Sequence, residues 1–228
     1  VEYNGERLPT IRDWRLNLTG LSHMYNLYLI AYKDQIHVYE PSYPYQTLPS
    51  QPSLIIEPPL TGLATSGYLD PGCPHSINHL VVDFLGDLEI VLVACDDGDA
   101  HAYYMHDIQH AIDVRSSCRS PIAITTVGEL RTFFSINCER SAWGLSVHRK
   151  ARKIAVSSNA RKVWVTAFGL SETRPSWIEL DMDTTNSDFT IAIGGHHDNL
   201  PSVTFCNTED DPEGKLLVCG SIQGHIYM

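Results

Sequence analysis

The sequence predicts an all-β fold of the WD40-like β-propeller type, with about four degenerate blades belonging to a larger propeller. Three observations carry this. Four apolar runs end in the small residues Ala31, Ala94, Ser157 and Cys219, whose positions are separated by 63, 63 and 62 residues. The segments around them are too short for stable helices and alternate with period 2 in β-branched and aromatic residues. The turns that follow them hold residues that tolerate positive φ.

The hairpins justify themselves in order. The first lies near 27–40, with runs LYLIA (27–31) and IHVY (36–39) about the turn Lys33-Asp34-Gln35. The second lies near 90–105, with IVLVA (90–94) and AHAYY (100–104) about the acidic turn 96–99. The third, near 153–168, joins IAVS (154–157) to VWVT (163–166) through Asn159-Ala160-Arg161. The fourth, near 215–228, joins LLVC (216–219) to HIY (225–227) through Gln223-Gly224. A further strand precedes three of them, at 77–82, 143–147 and 202–205, and a weaker apolar stretch at 16–21 holds that place before the first. Fourth strands are expected after the hairpins, as at 54–56 and 177–180. Four strands in repeated order describe a propeller blade, and a period above the ~40–45 residues of a minimal WD-type blade implies longer loops. The whole of 1–228 reads as one propeller region.

The segment 195–203 (GHHDNLPSV) resembles the Gly-His start of a WD-type blade, and 74–77 (PHSI) is a looser version. The Trp-Asp pair is replaced by Tyr39-Glu40, Tyr104-Met105, Thr166-Ala167 and Tyr227-Met228. The Asp–His–Ser–Trp hydrogen-bond chain of regular repeats is therefore not expected in full. Six of the thirteen prolines fall between 41 and 59, which marks a surface excursion.

Composition excludes several classes. A net charge of −11 disfavours generic nucleic-acid binding, which runs on phosphate neutralisation. No segment reaches the ~18 apolar residues of a membrane span, so no membrane partner is expected. The first fifteen residues have no signal-peptide pattern, and the chain starts at Val1 rather than Met, as a piece of a longer protein would. Six scattered cysteines fit neither a zinc CxxC pattern nor a disulfide scaffold, and point to a reducing compartment, cytosol or nucleus.

The chemistry-bearing residues give no catalytic constellation, for no nucleophile elbow, P-loop or dinucleotide fingerprint occurs. Asp96, Asp97 and Asp99 around Gly98 lack the spread of ligands and the distal Glu of a calcium loop, so they read as an acidic hairpin turn. His101, His106 and His110 lie in and after a strand at spacings that match no zinc pattern. Adjacent His196 and His197, with Asp198, read as a blade start rather than metal ligands. Cys118 falls in a polar loop, 115–121. No metal and no cofactor are expected. The loops expected to meet protein partners are those of Asp96, Asp97 and Asp99, of Arg161 and Lys162, and of His196, His197 and Asp198. Arg149, Lys150, Arg152 and Lys153 form a basic patch. In the blade reading these four lie in an a–b turn and Arg161 and Lys162 in a b–c turn, so the positive charge divides between two ends of one strand.

The strings SGYLDP (66–71), PHSINHL (74–80) and ACDDGDAHAYY (94–104) resemble the fungal family of constitutive ribonucleotide-reductase transcription regulators, large proteins with a WD-like N-terminal region. The resemblance implies a nuclear, non-catalytic protein that represses ribonucleotide-reductase genes, with the cytoplasm left open as a second location. It further implies a substrate-receptor-like role in a cullin-type ubiquitin ligase, reached through a propeller-built adaptor. The alternative reading is a nucleic-acid-binding propeller that acts through the basic blade around 149–162.

Overall fold

In β2 (Tyr28–Tyr32) the buried Leu29 and Ala31 alternate with half-buried neighbours, and β3 (Gln35–Tyr39) does the same with Ile36 and Val38. A strand with one inward face must read this way. The computed structural model describes residues 17–62, 69–117, 130–168, 186–192 and 199–228. These residues form four antiparallel sheets, each a simple meander, three with strands a to d and the fourth with strands a to c. The first is β1 (Thr19–Leu21), β2, β3 and β4 (Leu54–Ile56). The second is β5 (Ile77–Leu85), β6 (Leu88–Cys95), β7 (Asp99–Tyr104) and β8 (Phe134–Asn137). The third is β9 (Ala142–His148), β10 (Lys153–Ser158), β11 (Lys162–Phe168) and β12 (Asn186–Ala192). The fourth holds three strands, β13 (Ser202–Phe205), β14 (Leu217–Gly220) and β15 (Ile226–Tyr227).

The sheets stack face on face in chain order. Leu29, Ile36, Val38 and Leu54 of the first sheet share a core with Val91, Val93 and Tyr103 of the second. The second sheet's other face, with Ile90, Leu92 and Ala102, packs on Leu145, Ile154, Val156 and Trp164 of the third. The third sheet's far side, with Ala155, Val163 and Val165, meets Val203, Phe205 and Cys219 of the fourth. This order explains the sequence patterns. Strand β6 is covered on both faces, so its residues from Glu89 to Cys95 are all buried and read as an unbroken apolar run after the glutamate. Among the described residues strand β2 has one neighbour sheet, and it alternates.

The a strands β1, β5, β9 and β13 are successive neighbours, the arrangement of blades set round an axis. The backbone closes in here: the Leu80 amide donates to the Asn17 carbonyl across the first two sheets at 2.8 Å. Gly144 of β9 permits the approach, since a Cβ there would collide with Ser157 Oγ and lie 2.8 Å from the Val203 nitrogen. The expected repeat is therefore present as blade-like sheets; no closed ring occurs among the described residues.

Three expectations need correction. The segment after β7 is a helix, α1 (Met105–Ser117), so His106 and His110 are exposed helical residues, and Arg115 to Ser117 are helical rather than loop. Its buried residues Met105, Ile108 and Ile112 follow the helical period, and Asp107 in the first turn and Arg115 in the last suit the helix dipole. The fourth strand of the third sheet is β12, and 177–180 lies outside the described residues, as does Cys118. The weak first strand is shorter than 16–21, running from Thr19 to Leu21. The proline-rich excursion does lie on the surface, with Tyr43 87% and Tyr45 85% exposed, and it returns through β4. No helix among the described residues is long and apolar enough to cross a membrane.

Candidate functional site

The acidic turn 96–99 joins β6 to β7, and Gly98 makes it possible. Its φ is +95°, and an added Cβ would lie 2.9 Å from the Arg140 carbonyl oxygen. The turn is not a solvent-facing acidic loop. Asp96 and Asp99 are 0% and 2% exposed and Asp97 is 8% exposed, so the three carboxylates expected to meet a partner point inward.

Each carboxylate there is a structural acceptor. Asp96 Oδ1 accepts from Ser141 Oγ at 2.6 Å, and its Oδ2 accepts from the backbone N–H groups of Leu69 (2.6 Å) and Asp70 (3.1 Å). Asp99 accepts from the Thr61 amide at 2.9 Å, from the Thr61 hydroxyl at 2.6 Å and from Asn137 Nδ2 at 2.7 Å. Asp97 Oδ1 accepts from the Asp99 amide at 3.1 Å, and its Oδ2 lies 2.6 Å from His75 Nδ1. Asn78 donates to Ser141 Oγ and to the Ala142 carbonyl, which ties the start of β5 to the start of β9. The turn thus gathers the segment entering the second sheet and the segment entering the third. A charged acceptor this deeply buried is tolerable only when its lone pairs are filled.

Two histidines complete the knot. His75 contacts Asp97 through Nδ1 and the Pro58 carbonyl through Nε2 at 3.1 Å. Burial pulls its pKa down, but the hydrogen bond to Asp97, the charges of Asp97 and Asp99 and the Pro58 carbonyl outweigh it, leaving the group above its ordinary value. The looser blade start at 74–77 therefore keeps the His–Asp link of a regular repeat. His101, fully buried, has its Nδ1 3.0 Å from Ser135 Oγ. Burial dominates there and lowers its pKa to about 4, so it is neutral near pH 7.

The basic residues lie elsewhere and fall into two groups, at the two ends of β10, as their order along the chain requires. Arg149 to Arg152 occupy the a–b turn of the third sheet, and Lys153 opens β10. Arg149 Nε donates to the Gly86 carbonyl at 2.9 Å, and its guanidinium sits 4.6 Å from the centre of the Phe84 ring. Lys153 Nζ donates to the carbonyls of Glu213 (2.7 Å) and Gly214 (3.1 Å). These cations latch the third sheet to the second and the fourth. Lys150 is exposed, and Arg152 lies over Gly86. The groove between these turns, about 410 Å³, is lined by Asp87 and Glu209 as well as by the arginines. At the other end of β10, Arg161 is exposed with φ +60°, and Lys162 pairs with Glu139 at 2.5 Å. His196, His197 and Asp198 lie outside the described residues.

Ser141, Asn78, Asn137 and Thr61 escaped sequence reasoning because none is chemically distinctive alone. Glu89 did too: it reads as part of an acidic turn, yet it is 3% exposed and accepts from Ser22 Oγ at 2.7 Å and from the His23 amide. The cysteines resolve more simply. Cys73, Cys95, Cys138, Cys206 and Cys219 are free thiols, and burial pushes the Cys95 and Cys138 thiols up.

Comparison with known proteins agrees with this architecture. The chain is 27% identical over 229 residues to an uncharacterized WD repeat-containing protein of Schizosaccharomyces pombe, C27B12.05, covering 96% of this chain and 41% of that protein. It superposes on a chain in the crystal structure of the mitotic checkpoint complex with a TM-score of 0.51 at 13% identity, covering 96% of this chain and 49% of that one, a likeness of fold alone. The chain thus spans less than half the length of either. The model of the CRT10 family matches residues 6–228, a span that takes in the polar knot and all four sheets. By that match the chain belongs to the CRT10 family, the fungal ribonucleotide-reductase regulators that its motifs resemble.

Proposed function

We propose that this chain is part of a WD40-like propeller in a nuclear, non-catalytic scaffold that represses ribonucleotide-reductase genes, and that the scaffold acts as a substrate-receptor-like subunit of a cullin-type ubiquitin ligase. The observation that carries the reading is the family match over residues 6–228, taken with the inward commitment of the chain's acidic motif to structure. In this reading partner contact falls to residues that the fold leaves outside. Two places fit: the connection around Tyr43 and Tyr45, and the exposed Arg161 of the third b–c turn. Exposed tyrosines present large, rigid, amphipathic area, the kind enriched at protein interfaces.

The test is affinity capture of the intact protein from fungal nuclear extract, beside a Tyr43→Ser/Tyr45→Ser variant. Recovery of a cullin and a propeller-built adaptor with the wild type, reduced at least tenfold with the variant, supports the scaffold and this face. Absence of ligase subunits under gentle conditions removes the ligase role. Unchanged ribonucleotide-reductase transcripts on deletion of the gene remove the regulatory one.

A further inference from the structure

We propose that the inner end of the second sheet binds one zinc ion through His75, Asp99 and His101. Asp99 and His101 are two residues apart on β7, so the period-2 strand puts them on one face. His75 arrives from the segment before β5. Asp99 Oδ2 lies 3.9 Å from His75 Nδ1 and 4.0 Å from His101 Nε2, and the three ligand atoms are all within 4.8 Å of one another. A cation at their centre would sit about 2.2–2.5 Å from each, so inward movements of roughly 0.3 Å reach zinc–nitrogen and zinc–oxygen distances.

An independent observation points into this space. His101 Nε2 is buried and lacks a hydrogen-bond partner of good geometry, the ring's backbone hydrogen bond to the Pro59 carbonyl being a weak one. Leaving such a nitrogen bare costs stability unless something else takes its lone pair. The surroundings are those of metal-binding imidazoles, whose far nitrogen is held by an oxygen. His101 Nδ1 faces Ser135 Oγ, and His75 Nε2 faces the Pro58 carbonyl. Asp99 is oriented by Thr61 and Asn137. Two imidazole nitrogens and a carboxylate oxygen are a borderline donor set, which suits zinc better than calcium or magnesium. Asp97 Oδ2, 2.6 Å from His75 Nδ1, must move out by roughly 0.7 Å to become a fourth ligand, since two donor atoms of one tetrahedral zinc stand about 3.3 Å apart. On binding, zinc takes the place of the proton that His75 Nδ1 shares with Asp97, and that proton passes to solvent.

The experiment loads the intact protein with zinc chloride, removes loose metal with a weak chelator, and measures metal content and thermal midpoint. Wild type, His101→Leu and Asp99→Asn are compared, with His106→Ala/His110→Ala as the control for exposed histidines. The expected result is one more zinc per chain in wild type and control than in the two ligand variants, with a zinc-dependent rise in midpoint only in the former pair. Equal zinc content in all four proteins overturns the proposal, as does loss in the control alone. Should the ligand variants not fold, cobalt substitution of the wild type decides. Intense visible bands of tetrahedral cobalt support the site, and their absence overturns it.

Discussion

Replacing Asp96 by alanine separates a structural carboxylate from a partner-facing one. The substitution leaves Ser141 Oγ and the amides of Leu69 and Asp70 without the acceptor they share, at a position with no solvent access. Hydrogen bonds to a charged group are worth about 1.5–3 kcal/mol each. Part of that is returned, because a buried charge also disappears, and Ser141 keeps its contact with Asn78. A net loss of about 3–5 kcal/mol follows, in line with broken buried polar networks. At roughly 2–4 °C per kcal/mol for a domain of this size, the thermal midpoint should fall by about 10 °C. The assay is thermal and urea unfolding of the intact protein, with Asp34→Ala as control. Asp34 occupies the matching b–c turn of the first sheet but is exposed, so its loss should stay within about 0.5 kcal/mol. A fall of under about 2 °C for Asp96→Ala, together with loss of captured partners, would refute the inward reading.

Three further outcomes are expected. Gly144→Ala should cost about 1–3 kcal/mol, because its methyl group must displace Ser157 Oγ and the backbone of β13; an unchanged urea midpoint would show that the inner strands are not closely packed. Arg161→Gly should stabilise by about 1 kcal/mol, since φ is +60° at a residue carrying a Cβ, and a midpoint that falls would contradict that backbone conformation. His79 Nδ1 donates to the Trp143 carbonyl at 2.8 Å, and burial lowers its pKa although that carbonyl partly restores it. A lowered histidine pKa gives stability that is present above the unfolded value of about 6.5 and is lost as pH falls through the folded one. His79→Leu should therefore cost about 1 kcal/mol at pH 8 and visibly less at pH 5, and a cost that grows on acidification would reverse the sign.

Hairpin positions were legible because two local signals coincide at each of them. Ala31, Ala94, Ser157 and Cys219 sit on β2, β6, β10 and β14, and the following turns contain Lys33, Gly98, Arg161 and Gly224 at positive φ. Helix α1 was equally available from Met105, Ile108 and Ile112, but its proximity to the strand residue His101 let the histidines be read as one series. The knot was not legible, for a physical reason. An acidic turn looks the same whether it faces water or buried donors, and these donors come from positions 61, 69, 70 and 141, which only the stacking of sheets brings together. Glu89 misled in the same way, since the turn that it caps belongs to the neighbouring sheet.

That distinction changes where function should be sought. The strings that resemble the regulator family, 74–80 and 94–104, supply His75, Asn78, Asp96, Asp97, Asp99 and His101 to the knot, so they encode how the second sheet is joined to its neighbours. A motif spent on joining sheets identifies a fold lineage without marking a partner face. Charge gives a second filter. Arg149 and Lys153 are bound to carbonyls of adjacent sheets, so reversing them would loosen the stack as well as any interface, and lost binding would not by itself report contact. Tyr43, Tyr45 and Lys150 carry no such burden, being exposed. Substitutions there leave the stack intact, which makes them the positions where a change in partner capture can be read as contact.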